Sequence, residues 1–153
     1  MSKHGIIIST SPEETERLAV VMGANLRGGE LIELASDLGS GKTTFTRGLV
    51  RGAGSTDAVA SPTFTISRVY KGPKFDIHHF DFYRLQEAGL AAHELQDLLN
   101  DPQIVIVVEW ANVVADVLPA NRLTIEITAQ DETSRRLHCK FTKQLEYLME
   151  GVC

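Results

Sequence analysis

Apolar positions along the chain recur in two rhythms, short contiguous runs and runs spaced by three or four residues, and the two alternate. Ile6-Ile7-Ile8 predicts a strand over 5–10. Ser11-Pro12-Glu13-Glu14 then predicts a helix start, with Ser11 as N-cap, proline at the first helical position and Glu14 at the capping-box position. Leu18, Val21, Met22 and Leu26 follow at helical spacing until Gly28-Gly29. A second apolar run predicts a strand over 30–35. Gly41 opens a second helix whose Phe45, Leu49 and Val50 face a core and whose stops are Gly52 and Gly54.

The second half continues in the same way. Residues 63–70 alternate, with Phe64, Ile66 and Val69 as apolar members. Lys71-Gly72-Pro73-Lys74 is a turn, so 63–80 reads as a β-hairpin. A short helix over 90–99 precedes the unbroken Ile/Val run of 103–109, the pattern of a strand covered on both faces. Strands over 122–128 and 135–141 and a helix over 143–149 close the chain. About seven strands and four helices in this order predict an α/β fold of three layers, with a mixed, partly parallel sheet.

With 153 residues, the expectation is one domain over 1–153 with a core large enough to need no disulfide or metal staple. Fifteen Lys+Arg against 20 Asp+Glu give a net charge of −5. That balance disfavours broad nucleic-acid binding, which needs phosphate neutralisation, but leaves room for a local basic patch. Cys139 and Cys153 have no metal-binding or redox spacing. The apolar runs fall far short of the ~20 residues that cross a bilayer, so a soluble, cytoplasmic protein is expected.

The strongest chemical signal is Ser36-Asp37-Leu38-Gly39-Ser40-Gly41-Lys42-Thr43-Thr44, between an apolar strand and an amphipathic helix. That is the strand–loop–helix setting of a phosphate-binding P-loop. Backbone N–H groups of Gly39, Ser40 and Gly41 can curl around phosphate oxygens, and the helix N-terminus adds partial positive charge. Lys42 supplies a charge for the outer phosphates, and the Thr43 hydroxyl suits Mg²⁺. Ser36 stands where the motif has its first glycine.

Other residues fit around such a loop. Glu109 ends the buried strand, where it either points into the crevice in which open α/β sheets bind ligands, a place for a metal-binding carboxylate, or stands as an ordinary strand-terminal glutamate in water. Trp110, the sole tryptophan, either packs beside a nucleotide or joins the core. Asp81 can orient an attacking water, or cap the turn that follows it. His79 shares a strand face with Asp81, a pair that can hold a metal, although no third ligand is apparent. In Ser61-Pro62-Thr63 the threonine is either a γ-phosphate sensor or a strand boundary. Arg135-Arg136, near His138, Lys140 and Lys143, offers a phosphate, tRNA or acidic-protein contact, or a solvated face.

Taken together these stretches resemble the TsaE family of bacterial P-loop ATPases. The matching elements are D-L-G-S-G-K-T-T-F-T-R-G-L at 37–49, S-P-T-F-T-I at 61–66, H-H-F-D-F-Y-R-L at 78–85 and V-E-W at 108–110. The resemblance implies a P-loop NTPase-like fold that binds ATP and Mg²⁺ and hydrolyses ATP weakly by itself. It implies a role in threonylcarbamoyladenosine modification of tRNA through a TsaB–TsaD complex, with tRNA reached only through that complex. Carried over by motif, residues Asp37 to Thr44 cradle the nucleotide, Lys42 holds phosphates, and Thr43 and Glu109 hold Mg²⁺. Asp81 and Trp110 match positions important for ATPase function, Arg135 approaches the nucleotide, and Ser11 borders the adenine. Ser36, Asn112 and Ser134 depart from the family pattern.

Other nucleotide classes fit less well. No N-K-x-D guanine-reading motif is present, and no arginine-rich lid insertion of a small-molecule kinase is evident. A nucleotide-responsive binding module with negligible catalysis is the remaining alternative. It differs from an ATPase in having no need of the Asp81/Glu109 pair.

Overall fold

The computed structural model of the chain describes residues 2–35, 41–60, 67–83 and 89–152. One seven-stranded sheet runs through the molecule in the order β1-β7-β6-β2-β5-β4-β3. The strands are β1 Ser2–Ser9, β2 Leu31–Ala35, β3 Ser67–Tyr70, β4 Asp76–Asp81, β5 Ile104–Glu109, β6 Leu123–Ala129 and β7 Arg135–Thr142. The helices are α1 Pro12–Asn25, α2 Lys42–Gly52 and α3 Gly89–Leu98, with 3₁₀ segments at Ala111–Val117 and Lys143–Met149. Four central strands, β6, β2, β5 and β4, are mutually parallel. The β3–β4 hairpin extends one edge antiparallel, and β7 with β1 extends the other.

Alternating side chains of the sheet feed two cores. On one face Ile32, Leu34, Ile77, Val105, Val107 and Ile125 pack under α1, α2 and the C-terminal 3₁₀ segment. On the other, Leu31, Phe80, Ile106 and Val108 pack under α3 and the Ala111–Val117 segment. The expected mixed three-layer α/β fold is therefore present, and β5, apolar on both faces, lies inside the sheet between β2 and β4.

α1 begins as its sequence predicts: Ser11 Oγ accepts from the Glu14 N–H at 3.1 Å, and Pro12 occupies the first turn. Glu14 reaches back to Thr10 rather than to the cap residue. The expected apolar face of α1 meets the core, with Met22 and Leu26 buried, but its deepest contact is shifted toward Ala19 and Gly23. Ala19, Met22 and Gly23 are buried, while Leu18 and Val21 lie at the margin of the core. The cause is the close approach of α2, for a Cβ on Gly48 would stand 2.3 Å from the Glu16 carbonyl oxygen.

The helix expected over 143–149 is present with those bounds, as a 3₁₀ segment, and a further 3₁₀ segment at 111–117 had no counterpart in the sequence reading. The hairpin forms, but only Ser67–Tyr70 of its first strand is described; Phe64 and Ile66 lie outside the described residues and Val69 is exposed.

Candidate functional site

The carboxyl ends of β2, β5 and β4 come together beside the N-terminus of α2. Leu34 pairs with Glu109, and Glu109 pairs with Asp81, across adjacent parallel strands. Period two puts Val105, Val107 and Glu109 on the sheet face that α2 covers, and does the same for Ile77, His79 and Asp81. Two strands thus aim an acidic residue each, and a histidine, at the start of one helix.

That helix opens at Gly41, whose φ of 103° lies in the left-handed region. A side chain there would be strained, and its Cβ would meet Arg135 Nε at 3.8 Å. Lys42 follows and is buried, with 6 % of its surface exposed. Its Nζ stands 3.9 Å from Glu109 Oε1 and 4.3 Å from the centre of the Trp110 ring. Glu109, which a strand end in water would have left exposed, is itself 2 % exposed. Buried charges persist where they are paired, and this pair is closed further by His79 Nε2, 2.5 Å from Glu109 Oε2.

Trp110 has φ 55° and ψ 53°, left-handed values that a non-glycine residue adopts at a cost of about 1–3 kcal/mol. The turn lays its ring over Lys42 and against Tyr83, with ring centroids 4.9 Å apart. Trp110 is therefore part of the site's wall and outside the deep core.

Asp81 serves the turn after β4, accepting from the Tyr83 N–H at 3.0 Å, and remains half-buried beside Glu109. Burial pushes its carboxyl above the ordinary aspartate value; the Tyr83 N–H pulls it back, and the Glu109 charge adds to the rise. The metal pairing of His79 with Asp81 is not what the geometry supports. Both ring nitrogens of His79 face elsewhere, Nε2 to Glu109 and Nδ1 to the Tyr70 hydroxyl.

A second, small pocket lies on the other side of the α2 N-terminus, lined by Pro12, Thr15, Gly41, Thr44, Thr133 and Arg135. Ser11 borders it through its neighbour Pro12, while its own hydroxyl is engaged in capping α1. The basic cluster at the end of the chain divides. Arg135 lies on the β7 face of Leu137 and Cys139, toward α1 and α2, whereas Arg136, His138 and Lys140 alternate onto the opposite face. Thr43 is half-buried at the helix start. Asp37, Leu38, Gly39 and Ser40, with Ser36, Thr63 and Arg84, lie outside the described residues.

The structure thus brings together Lys42, Glu109, Trp110 and Asp81 on one side of the α2 N-terminus, and Thr44, Arg135 and the first turn of α1 on the other. Sequence reasoning missed the His79–Glu109 contact, which joins residues 30 apart on different strands. Alternation in His78-His79-Phe80-Asp81 supplied the only available signal, the shared face.

Among the described residues no helix is long and apolar enough to cross a membrane. Comparison with known proteins matches residues 9–137 to the family described as "Threonylcarbamoyl adenosine biosynthesis protein TsaE". A "tRNA threonylcarbamoyladenosine biosynthesis protein TsaE" of Bacillus subtilis is 38% identical over 133 residues, covering 84% of this chain and 80% of the relative. One of the same description from Streptomyces coelicolor is 45% identical over 107 residues, covering 67% of this chain and 70% of the relative. The crystal structure of Bacillus subtilis YdiB superposes with a TM-score of 0.81 at 33% identity, covering 99% of this chain and 95% of that one.

Proposed function

The chain belongs to the TsaE family, and from that premise we propose that it is a Mg²⁺-dependent ATPase serving threonylcarbamoyladenosine modification of tRNA. The observation that carries the reading is the buried Lys42–Glu109 pair at the N-terminus of α2, with Asp81 alongside. A binding module needs the cation; it has no use for two carboxylates held against the same helix end.

The residues suit the groups they would hold. Gly41 places no side chain at the helix start, where backbone N–H groups and the helix dipole would face phosphate oxygens. Lys42 would exchange part of its contact with Glu109 for the phosphates. The Thr43 hydroxyl and the Glu109 carboxylate are hard oxygen donors of the kind Mg²⁺ prefers. Bound Mg²⁺ would supply charge neutralisation and fix the phosphate geometry. Asp81, its carboxyl raised above the ordinary aspartate value by burial, is suited to orient water and accept its proton. The small pocket of Pro12, Thr15, Thr44 and Arg135 would border the base, with Arg135 near the phosphates.

We read the chain as acting on a TsaB–TsaD-like complex, reaching tRNA through it, as the net charge of −5 favours. The test is ATP turnover by the purified chain with Mg²⁺, alone and with TsaB and TsaD added. Slow turnover that rises with the partners is expected. Binding without turnover in either condition would replace the ATPase by a nucleotide-responsive module.

A further inference from the structure

Behind the carboxylate of Glu109 lies a line of buried polar groups that the proposed reaction does not touch. His79 has no exposed surface, and its Nε2 is 2.5 Å from Glu109 Oε2. On the far side of the ring, Nδ1 is 3.1 Å from the hydroxyl of Tyr70, a residue 2 % exposed. That hydroxyl donates to the Ala60 carbonyl at 3.0 Å. The line runs from the backbone at Ala60 through Tyr70 and His79 to Glu109, whose other oxygen faces Lys42. β4 and β3 hold the two rings in place through the pairs His79–Val107 and Tyr70–Ile77.

This arrangement has a specific consequence. A glutamate has three side-chain torsions, and a carboxylate that ligates a metal loses affinity and rate when its orientation is not fixed. Lys42 does not fix it, for 3.9 Å is an ion-pair distance and the lysine must turn to phosphate. A purely structural buried histidine would be satisfied by backbone groups of its own neighbourhood. His79 instead has one nitrogen on the site's carboxylate and the other on a side chain anchored to a main-chain carbonyl.

We propose that His79, backed by Tyr70, is the positioning residue for Glu109: it holds one carboxylate oxygen so that the other is presented to the cation and phosphates. The inference rests on the Mg-nucleotide reading of the site. It assigns His79 to orientation and not to metal ligation.

The test compares His79→Phe, His79→Gln and Tyr70→Phe, alone and with Glu109→Gln. Two quantities are read, ATP turnover and the Mg²⁺ concentration that half-saturates ATP binding by calorimetry. Loss of an orienting partner typically lowers metal affinity or rate roughly 10–100-fold, so His79→Phe is expected to lose about tenfold or more in turnover and to need several-fold more Mg²⁺. His79→Gln, which returns an N–H donor, is expected to recover most of both. In the Glu109→Gln background His79→Phe is expected to add nothing, since the group it orients is gone. Should His79→Phe fail to fold, Tyr70→Phe removes a single oxygen and is expected to shift the Mg²⁺ requirement in the same direction. Equal losses with and without Glu109, or an unchanged Mg²⁺ requirement in folded His79→Phe, or in folded Tyr70→Phe where His79→Phe does not fold, would overturn the proposal. A parent protein that binds Mg-ATP without hydrolysing it would end the ATPase reading instead, and the Mg²⁺ titration would still decide the role of His79.

Discussion

Among the groups around Lys42 are the Glu109 carboxylate, 3.9 Å away, and the face of the Trp110 indole. Such a cation is desolvated yet able to turn toward an incoming anion. A charge-assisted hydrogen bond contributes roughly 1.5–3 kcal/mol, so Lys42→Ala is expected to weaken ATP binding at least about tenfold. Calorimetry on the folded variant measures this, and undiminished ATP affinity would remove the phosphate-loop assignment. Glu109→Ala is expected to lose Mg²⁺-dependent turnover more than it loses nucleotide binding; an unchanged rate would refute its metal role. Asp81 makes a different kind of prediction. Its carboxyl is raised by burial, so the folded state keeps the proton to higher pH than the unfolded chain does. Stability therefore falls as pH rises from the ordinary value of 3.8 through the raised folded one, and the penalty is present in full above the latter. Asp81→Asn removes the penalty. It is expected to melt higher than the parent at about pH 7.5, with the difference closing as the pH falls below about 4, while turnover is lost. Thermal unfolding of both proteins at the two pH values checks the sign.

Among the elements, α1 and α2 carry a constraint with no chemistry in it. Gly48 and Gly52 sit mid-helix and at the end of α2, where alanine would ordinarily gain about 1 kcal/mol in helix propensity. Here a Cβ on Gly48 would lie 2.3 Å from the Glu16 carbonyl oxygen, and one on Gly52 would lie 2.0 Å from that of Val20. Overpacking of backbone against backbone costs about 1–3 kcal/mol and outweighs the propensity gain. Gly48→Ala is therefore expected to lower the denaturation midpoint without changing the slope of unfolding; a raised midpoint would show that the helices separate freely. The sequence placed α2 correctly because its Phe45, Leu49 and Val50 repeat at helical spacing, but spacing says nothing about which helix faces another at backbone distance. The same limit explains the other departures. Ala111–Val117 is too short and too evenly apolar to declare a 3₁₀ turn, and its position follows from the left-handed Trp110 before it. Glu109 was legible because a charge ends a run of apolar residues. Its partner His79 was not, because parallel pairing of β4 with β5, and nothing local, brings them together.

At the scale of the whole molecule, the site is assembled from pieces far apart in the chain. Lys42, Asp81, Glu109 and Arg135 come from the start of α2 and the ends or beginnings of β4, β5 and β7, and only the folded sheet holds them together. An unfolded chain has no comparable site, so the ligand binds the native state alone and must raise its stability. At a free Mg-ATP concentration about a hundred times the dissociation constant, the gain is about 2.7 kcal/mol. For a chain of this size each kcal/mol moves the midpoint by about 2–4 °C, so Mg-ATP is expected to raise the melting temperature by roughly 5–10 °C. Lys42→Ala, binding at least about tenfold more weakly, is expected to keep about half of that rise or less at the same concentration. A shift retained in full by Lys42→Ala would mean that ATP stabilises the protein from somewhere other than the α2 N-terminus. A shift that needs no Mg²⁺ would separate phosphate binding at Lys42 from any metal role of Glu109 and Thr43.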